Sequence, residues 1–116
     1  DIEKINPKIK IEDFSSVLTT NEKNTIYKSQ TPIHTFYNLW TIKEAVLKAD
    51  GRGLNIPLAE IKIYKNYAIL NNNIWRFKSI EIDKNYKCTL STSIDDFTTI
   101  ISYMTINNLY NQLIKD

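Results

Sequence analysis

Residues 32–54 of this 116-residue chain read PIHTFYNLWTIKEAVLKADGRGL. Apolar side chains recur here at the spacing of a helix face, namely Ile33, Phe36, Tyr37, Trp40, Ala45 and Leu47. Thr31 can cap such a helix, Pro32 suits its first turn, and Gly51 can adopt the left-handed conformation that ends it. The stretch therefore predicts a long helix over residues 31–50.

Shorter elements are predicted before this helix. Residues 1–5 read as the end of a strand, which Pro7 stops. Residues 11–18 fit a short helix. A second helix start follows, where Thr19 would be the N-cap and Glu22 the reciprocal acid of a capping box.

The periodicity changes to that of strands after Gly51. Apolar and polar residues alternate between turn-forming segments at 71–73 and 83–85. This pattern predicts an antiparallel meander with strands near residues 61–64, 67–70, 74–82 and 86–93. A last strand over 98–103 and an amphipathic helix over 105–115 would complete the chain. Helices first and strands later predict a single α+β domain over residues 1–116, with helices packed on an antiparallel sheet.

Composition excludes several classes of protein. Hydrophobic residues make up 42% and charged residues 24% of the chain, as in ordinary globular domains. The single cysteine, Cys88, permits no internal disulfide and no cysteine-based metal site. The net charge of +2 and the lack of an apolar run near 18 residues give no reason to expect a nucleic acid or membrane partner.

One face of the long helix carries side chains that could take part in binding or catalysis. Trp40, Glu44 and Lys48 follow one another at intervals of four, and Lys43 lies beside them. The simplest interpretation is an exposed Glu44–Lys48 pair with Trp40 in the core. The alternative is that the charged side chains serve a site.

The strand at the start of the chain offers two more carboxylates. Asp1 and Glu3 alternate, so both point to one face of the strand. They are either a solvated strand end or, together with Glu44, an oxygen-only pocket of the kind that holds Mg²⁺ beside substrate phosphates. Spacing alone does not bring residues 1–3 to the helix, so both interpretations stay open.

Residues 40–54, Trp-Thr-x-Lys-Glu-Ala-x-x-Lys-x-x-Gly-x-Gly-Leu, resemble the signature of the 4′-phosphopantetheinyl transferases. The initial Asp-Ile-Glu is similar to the end of that family's other motif, a strand ending Gly-x-Asp-x-Glu. Residues 17–22 are similar to its Phe-Phe-Ser-x-x-Glu element. The chain is therefore identified as a member of this family.

Two differences from the small type of this family indicate the subtype. The signature carries Trp40 where the small, carrier-protein-synthase type has Phe-Ala-Ala, and residues 88–93 lack the histidine of that type. Residues 75–91 resemble the strand pair of the larger, surfactin-synthetase-activating type, which has two similar halves. The resemblance implies one half of this pseudo-twofold fold, the C-terminal lobe, completed by an N-terminal lobe or by a second copy of the chain.

The resemblance also implies an activity. The family moves the 4′-phosphopantetheine group of coenzyme A onto a serine of an acyl or peptidyl carrier protein and releases adenosine 3′,5′-bisphosphate, here in the cytoplasm. Asp1, Glu3 and Glu44 would ligate Mg²⁺ at the coenzyme A pyrophosphate. Glu44 would also help to remove the serine proton. Lys48 would contact the phosphates, and Lys43 would either do the same or be structural.

Three alternatives accompany this interpretation. Glu22 either orients the site or acts only as a capping-box acid. The chain is either a transferase lobe or a non-catalytic carrier-binding or scaffold module with the same fold. If Asp1 carries a free amino group, that charge lies roughly 3–4 Å from the ion's neighbourhood and opposes Mg²⁺ binding. We therefore expect the metal site of this chain alone to be weak or empty.

Overall fold

The structure, a computed structural model, describes residues 1–51 and 56–93. In chain order the strands are β1 (Ile2–Lys4), β2 (Lys62–Ile63), β3 (Tyr67–Leu70), β4 (Asn73–Ile80) and β5 (Tyr86–Thr92). The helices are α1 (Thr20–Lys28) and α2 (Pro32–Asp50), with 3₁₀ turns at Ile11–Val17 and Leu58–Glu60. The strands form one antiparallel sheet in the order β1-β5-β4-β3-β2. The predicted α+β class is confirmed.

Helix α2 begins and ends as its sequence predicts. Pro32 lies in the first turn, and Gly51 adopts a positive φ of 78° while its N–H donates to the Leu47 carbonyl at 3.1 Å. Among the described residues, no atom lies within 4 Å of the position that a Cβ of residue 51 would take, so it is the conformation that favours glycine there. Thr31 is the N-cap residue, but its side chain makes no capping hydrogen bond.

The pairing of β1 with β5 fixes the position of Asp1. Ile2 pairs with Cys88. Beyond it, the Thr89 N–H donates to the Asp1 carbonyl at 2.8 Å, and the Asp1 amino group donates to the Thr89 carbonyl at 2.7 Å. Paired residues share a face of the sheet. The Thr89 hydroxyl lies 3.0 Å from the Thr41 hydroxyl of α2, so Asp1 is on the sheet face that α2 covers.

Two apolar clusters hold α2 between the sheet and the N-terminal elements. One side of α2 packs on the sheet, and the buried members of this cluster are Ile42, Val46, Leu47, Ile61, Ala68 and Leu70. The other side packs on the preceding segments, and the buried members there are Ile11, Leu18, Ile26, Phe36 and Tyr37. Since α2 contributes to both clusters, its rotation about its own axis is strongly constrained, and so are the directions of its charged side chains.

The two predicted turns are confirmed. Asn71 and Asn72 both have positive φ, 50° and 66°, in a two-residue connection between paired Leu70 and Asn73. Such a turn matches the twist of a hairpin, and Asn tolerates it better than most residues. At the next turn the Asn85 N–H donates to Asp83 Oδ1 at 2.8 Å.

Some predictions differ or lie elsewhere. The short helix predicted over 11–18 is a 3₁₀ turn, interrupted at Phe14 by a φ of −106°, because Phe14 packs its ring against Phe36 and Trp40. The predicted strand over 98–103, the helix over 105–115 and Gly53 lie outside the described residues. Within the described part of the chain, no helix is long and apolar enough to cross a membrane.

Candidate active site

The two separated motifs meet at one ion pair. Lys48 Nζ lies 2.6 Å from Asp1 Oδ1 and donates to it, although the residues are 47 positions apart. The pairing of Asp1 with β5 and the packing of α2 on the same face of the sheet make this contact. The simplest interpretation of the helix, a Glu44–Lys48 pair, is therefore wrong for the Lys48 ammonium, whose partner is Asp1.

The Asp1 carboxylate is buried, whereas its partner is not. The Asp1 side chain is 2% exposed and that of Lys48 is 65% exposed. Asp1 Oδ2 is also buried and has no hydrogen-bond partner among residues 1–51 and 56–93. A buried carboxylate oxygen without a donor is costly, so Asp1 has the capacity to bind a further cation or donor.

Glu3 and Glu44 share the electrostatic neighbourhood of Asp1. The Asp1 main-chain nitrogen lies within electrostatic reach of the Lys48 ammonium and of the Cys88, Glu3 and Glu44 side chains. Both glutamates are half-buried. That Asp1, Glu3 and Glu44 act together as a ligand set stays a prediction.

The predicted metal triad has suitable chemistry but is not drawn together. Within residues 1–51 and 56–93, no three acidic, histidine or cysteine side chains converge as ligands on one point. The donor set of Asp1, Glu3 and Glu44 is nevertheless the oxygen-only type that Mg²⁺ prefers, and the unpartnered Asp1 Oδ2 offers a ligand atom. By the chemistry of their donor atoms these residues fit Mg²⁺.

Lys43 lies in a different environment from Lys48. Its side chain has no exposed surface, and its Nζ lies 3.0 Å from Glu22 Oε1. The same ammonium donates to the carbonyls of Leu58 at 2.8 Å and Ile61 at 3.2 Å. Burial lowers the pKa of Lys43, and its hydrogen bond and ion pair with Glu22 oppose that shift. A phosphate could reach this ammonium only by displacing those partners.

Glu22 has two contacts through one oxygen. Besides the pair with Lys43, Glu22 Oε1 accepts from the Thr19 N–H at 2.8 Å, and the Thr19 hydroxyl accepts from the Glu22 N–H at 3.1 Å. The predicted capping box is confirmed. The Glu22 carboxylate also links the start of α1 to α2, because its ion-pair partner Lys43 belongs to α2.

Trp40 packs against aromatic rings of the first 3₁₀ turn and of α2 itself. It is half-buried, with its ring centroid 5.4 Å from that of Phe14 and 6.1 Å from that of Phe36. These are normal distances for aromatic packing. Trp40 is thus part of the apolar packing of α2, as the simplest interpretation of the sequence has it.

Sequence reasoning missed a polar clamp between α2 and the sheet. Thr41 is fully buried, and its hydroxyl contacts the Tyr37 carbonyl at 2.9 Å and the Thr89 hydroxyl at 3.0 Å. The Tyr37 hydroxyl in turn accepts from the Asn6 N–H at 3.1 Å. Thr41 is itself a fixed position of the signature, between Trp40 and Lys43, and that was the signal the sequence offered.

A separate cleft lies near the other end of α2. A cavity of about 220 Å³ is lined by residues that include His34, Ser79, Asp83 and Lys87. His34, an exposed residue of α2, is one of the residues that line this cleft. His34 lies fourteen residues from Lys48, about 21 Å along a helix axis, although Lys87, which pairs with Glu3 of β1, lines the same cleft.

The comparisons with known proteins identify the class to which this fold and site belong. A family model described as the 4′-phosphopantetheinyl transferase superfamily matches residues 1–98. The chain belongs to the 4′-phosphopantetheinyl transferase superfamily, as its motifs predict.

Individual relatives agree with the larger type. The chain is 27% identical over 115 residues to the 4′-phosphopantetheinyl transferase Sfp of Bacillus subtilis strain 168, covering 89% of this chain and 51% of Sfp. It is 31% identical over 86 residues to the 4′-phosphopantetheinyl transferase gsp of Aneurinibacillus migulanus, covering 68% of this chain and 36% of the relative.

A third relative is similar over a shorter stretch. The chain is 51% identical over 45 residues to the L-aminoadipate-semialdehyde dehydrogenase-phosphopantetheinyl transferase of Schizosaccharomyces pombe, covering 39% of this chain and 17% of the relative. The chain thus spans about half of Sfp's length and less of the other two relatives.

Proposed function

We propose that this chain is the metal- and phosphate-binding lobe of an enzyme that transfers 4′-phosphopantetheine from coenzyme A to a serine of an acyl or peptidyl carrier protein. Family membership supports the reaction. The observation that carries the assignment to these residues is the contact between Lys48 and Asp1. It joins the two motifs that the family's chemistry needs in one site.

The chemistry is attack of a serine hydroxyl on a phosphoryl group, which depends mainly on positioning and charge neutralisation. Asp1, Glu3 and Glu44 would hold Mg²⁺, which when bound supplies Lewis-acid chemistry at the pyrophosphate oxygens. Glu44 would accept the serine proton as the new phosphoester bond forms. Lys48 would neutralise charge on the phosphates, and adenosine 3′,5′-bisphosphate would leave.

Lys43 has a different role in this proposal. Its ammonium already contacts Glu22 and the carbonyls of Leu58 and Ile61. We therefore assign it to holding α1, α2 and the segment before β2 together, rather than to binding phosphate. The same contacts give Glu22 a supporting role that includes, but exceeds, its capping box.

Coenzyme A needs more contacts than this lobe offers. The chain spans 51% of Sfp, and the resemblance implies that basic residues for the 3′-phosphate come from the half that this chain does not match. We propose that a second lobe, or a second copy of this chain, completes the site opposite Asp1 and Lys48.

A transfer assay with the full-length protein tests the proposal. An apo carrier protein incubated with coenzyme A and Mg²⁺ should gain the mass of one phosphopantetheine group. Glu44→Gln should reduce the rate about 100-fold or more, because even partners of metal ligands contribute 10–100-fold. Glu12→Gln, an exposed acid on the first 3₁₀ turn, is the matched control and should leave the rate unchanged.

The alternative, a non-catalytic carrier-binding module, predicts a different pattern. The carrier would bind to the protein without gaining mass, and Glu44→Gln would not alter that binding. Such a result, obtained where a known phosphopantetheinyl transferase modifies the same carrier, would overturn the proposed function.

A further inference from the structure

The two oxygens of the Asp1 carboxylate are in unequal situations. Oδ1 accepts from the Lys48 ammonium at 2.6 Å, whereas Oδ2 is buried without a partner in the structure. With only 2% of the side chain exposed, this carboxylate cannot rely on water for its stabilisation. A positive charge must stay beside it, because an unpaired buried charge is strongly unfavourable.

Lys48 is suited to supply that charge only for part of the time. Its side chain is 65% exposed, and it lies in the last turn of α2. A lysine is a compact ammonium on a flexible, four-carbon stem. The ammonium can therefore move into solvent or toward an anion without exposing the apolar core, whereas Asp1, paired with Thr89 through the backbone, stays in place.

We infer that Lys48 and the divalent cation compete for Asp1, and that binding of the cation releases Lys48 toward the phosphates of the substrate. This inference rests on the proposed function for the identity of the cation and the substrate. Lys48 acts here as a temporary counter-ion for Asp1. A divalent ion on Oδ2 repels the ammonium on Oδ1 of the same carboxylate, and the exposed Lys48 side chain can move away where the buried Asp1 carboxylate cannot.

Release of Lys48 couples the two ligands of the site. The displaced ammonium is left without a carboxylate and gains an anionic partner when the coenzyme A pyrophosphate binds. Metal and coenzyme A should therefore each strengthen the binding of the other, and this coupling is reciprocal. Lys48 carries the coupling because it contacts Asp1 in one state and phosphate in the other.

The experiment measures Mn²⁺ binding by electron paramagnetic resonance, with Mn²⁺ in place of Mg²⁺ and the full-length protein. Mn²⁺ binding is attributed to this site only where the Asp1→Asn substitution abolishes it. In the absence of coenzyme A, Lys48→Met should tighten Mn²⁺ binding about threefold or more, because the competing ammonium is gone. Coenzyme A should then tighten Mn²⁺ binding less in Lys48→Met than in the wild type.

Lys4→Met is the matched control. Lys4 is exposed on β1 and, opposite Tyr86, lies on the other face of the strand from Glu3, and its removal changes the net charge equally. It should leave Mn²⁺ affinity unchanged. If Mn²⁺ binding tightened equally in both variants, the change in net charge alone would explain the effect, and the inference would be overturned. Unchanged or weaker Mn²⁺ binding in Lys48→Met, or no binding attributed to this site in any form, would also overturn it.

A second readout follows Lys48 itself. The Nζ resonance of Lys48 should shift on addition of Mg²⁺ without coenzyme A, and that of Lys4 should not. An unmoved Lys48 resonance at saturating Mg²⁺ contradicts the exchange. Because these measurements involve no carrier protein, they separate this inference from the proposed function: the exchange can be confirmed when transfer fails, and transfer can occur without the exchange.

Discussion

The Lys43 ammonium lies 3.0 Å from Glu22 Oε1, in a position where the lysine side chain has no exposed surface. This pair connects α1 to α2. Its lysine belongs to the family signature and directly precedes Glu44 in the chain. The two lysines of the signature therefore have different environments and different roles. Lys43 is buried inside the fold, whereas Lys48 lies at the candidate site.

Lys43→Met should therefore destabilise the protein without weakening the binding of coenzyme A. The variant leaves Glu22 without its cation and removes the donor from two carbonyls, so the free energy of unfolding should fall by about 3 kcal/mol. Urea unfolding and the KM for coenzyme A, measured well below the unfolding transition, check this. A several-fold rise in KM with unchanged stability would instead assign Lys43 to the phosphates.

Glu22→Gln should be more damaging than loss of the helix cap alone. Glutamine can still serve in a capping box, so this change removes mainly the charge opposite Lys43. Thr19→Ala removes the capping hydroxyl and should cost about 1 kcal/mol. We expect Glu22→Gln to lower the free energy of unfolding, measured with urea, by more than Thr19→Ala does. The double variant with Lys43→Met and Glu22→Gln should lose less stability than the sum of the two single variants. Additive effects would show that the pair contributes nothing as a pair.

The stability contribution of Lys43 should depend on pH. Burial lowers its pKa in the folded protein below the ordinary value of 10.5. Between the lowered pKa and 10.5 the unfolded chain binds more protons, so the folded state gains stability as the pH rises through that window. The unfolding free energy of the wild type minus that of Lys43→Met should thus increase toward pH 10.5. A flat or falling difference would contradict the burial of a charged Lys43.

Cys88 offers a direct probe of opening of the sheet. Its side chain is 6% exposed, and burial raises the pKa of its thiol. Because the thiolate is the reactive species, a thiol reagent at pH 8 should label the native protein at least about 100-fold more slowly than the protein in urea. Labelling at equal rates would mean that the β1–β5 pairing is not maintained in solution.

Local rules predicted much of this fold. The ends of α2 follow from Pro32 and Gly51, the capping box from Thr19 and Glu22, and the hairpin from the asparagine run. Each depends on residues within a few positions of one another, where the chain's own geometry decides the outcome.

Contacts between distant residues were not predictable in this way. The Lys48–Asp1 pair depends on the register of β1 with β5 and on the rotation of α2, and neither is encoded near Lys48. The helix spacing instead favoured a Glu44–Lys48 pair. The burial of Lys43 likewise depends on the segment before β2, whose Leu58 and Ile61 carbonyls accept its hydrogen bonds.

Replacement of Asp1 by asparagine tests the central claim most directly. The amide side chain would keep the shape of the carboxylate and an acceptor for Lys48, but it would lose the charge that a metal and phosphate site requires. In the full-length protein, the rate at which an apo carrier gains phosphopantetheine, followed by intact mass, should fall about 100-fold or more, with the thermal unfolding midpoint nearly unchanged. A folded Asp1→Asn variant that transfers at the wild-type rate would contradict the account.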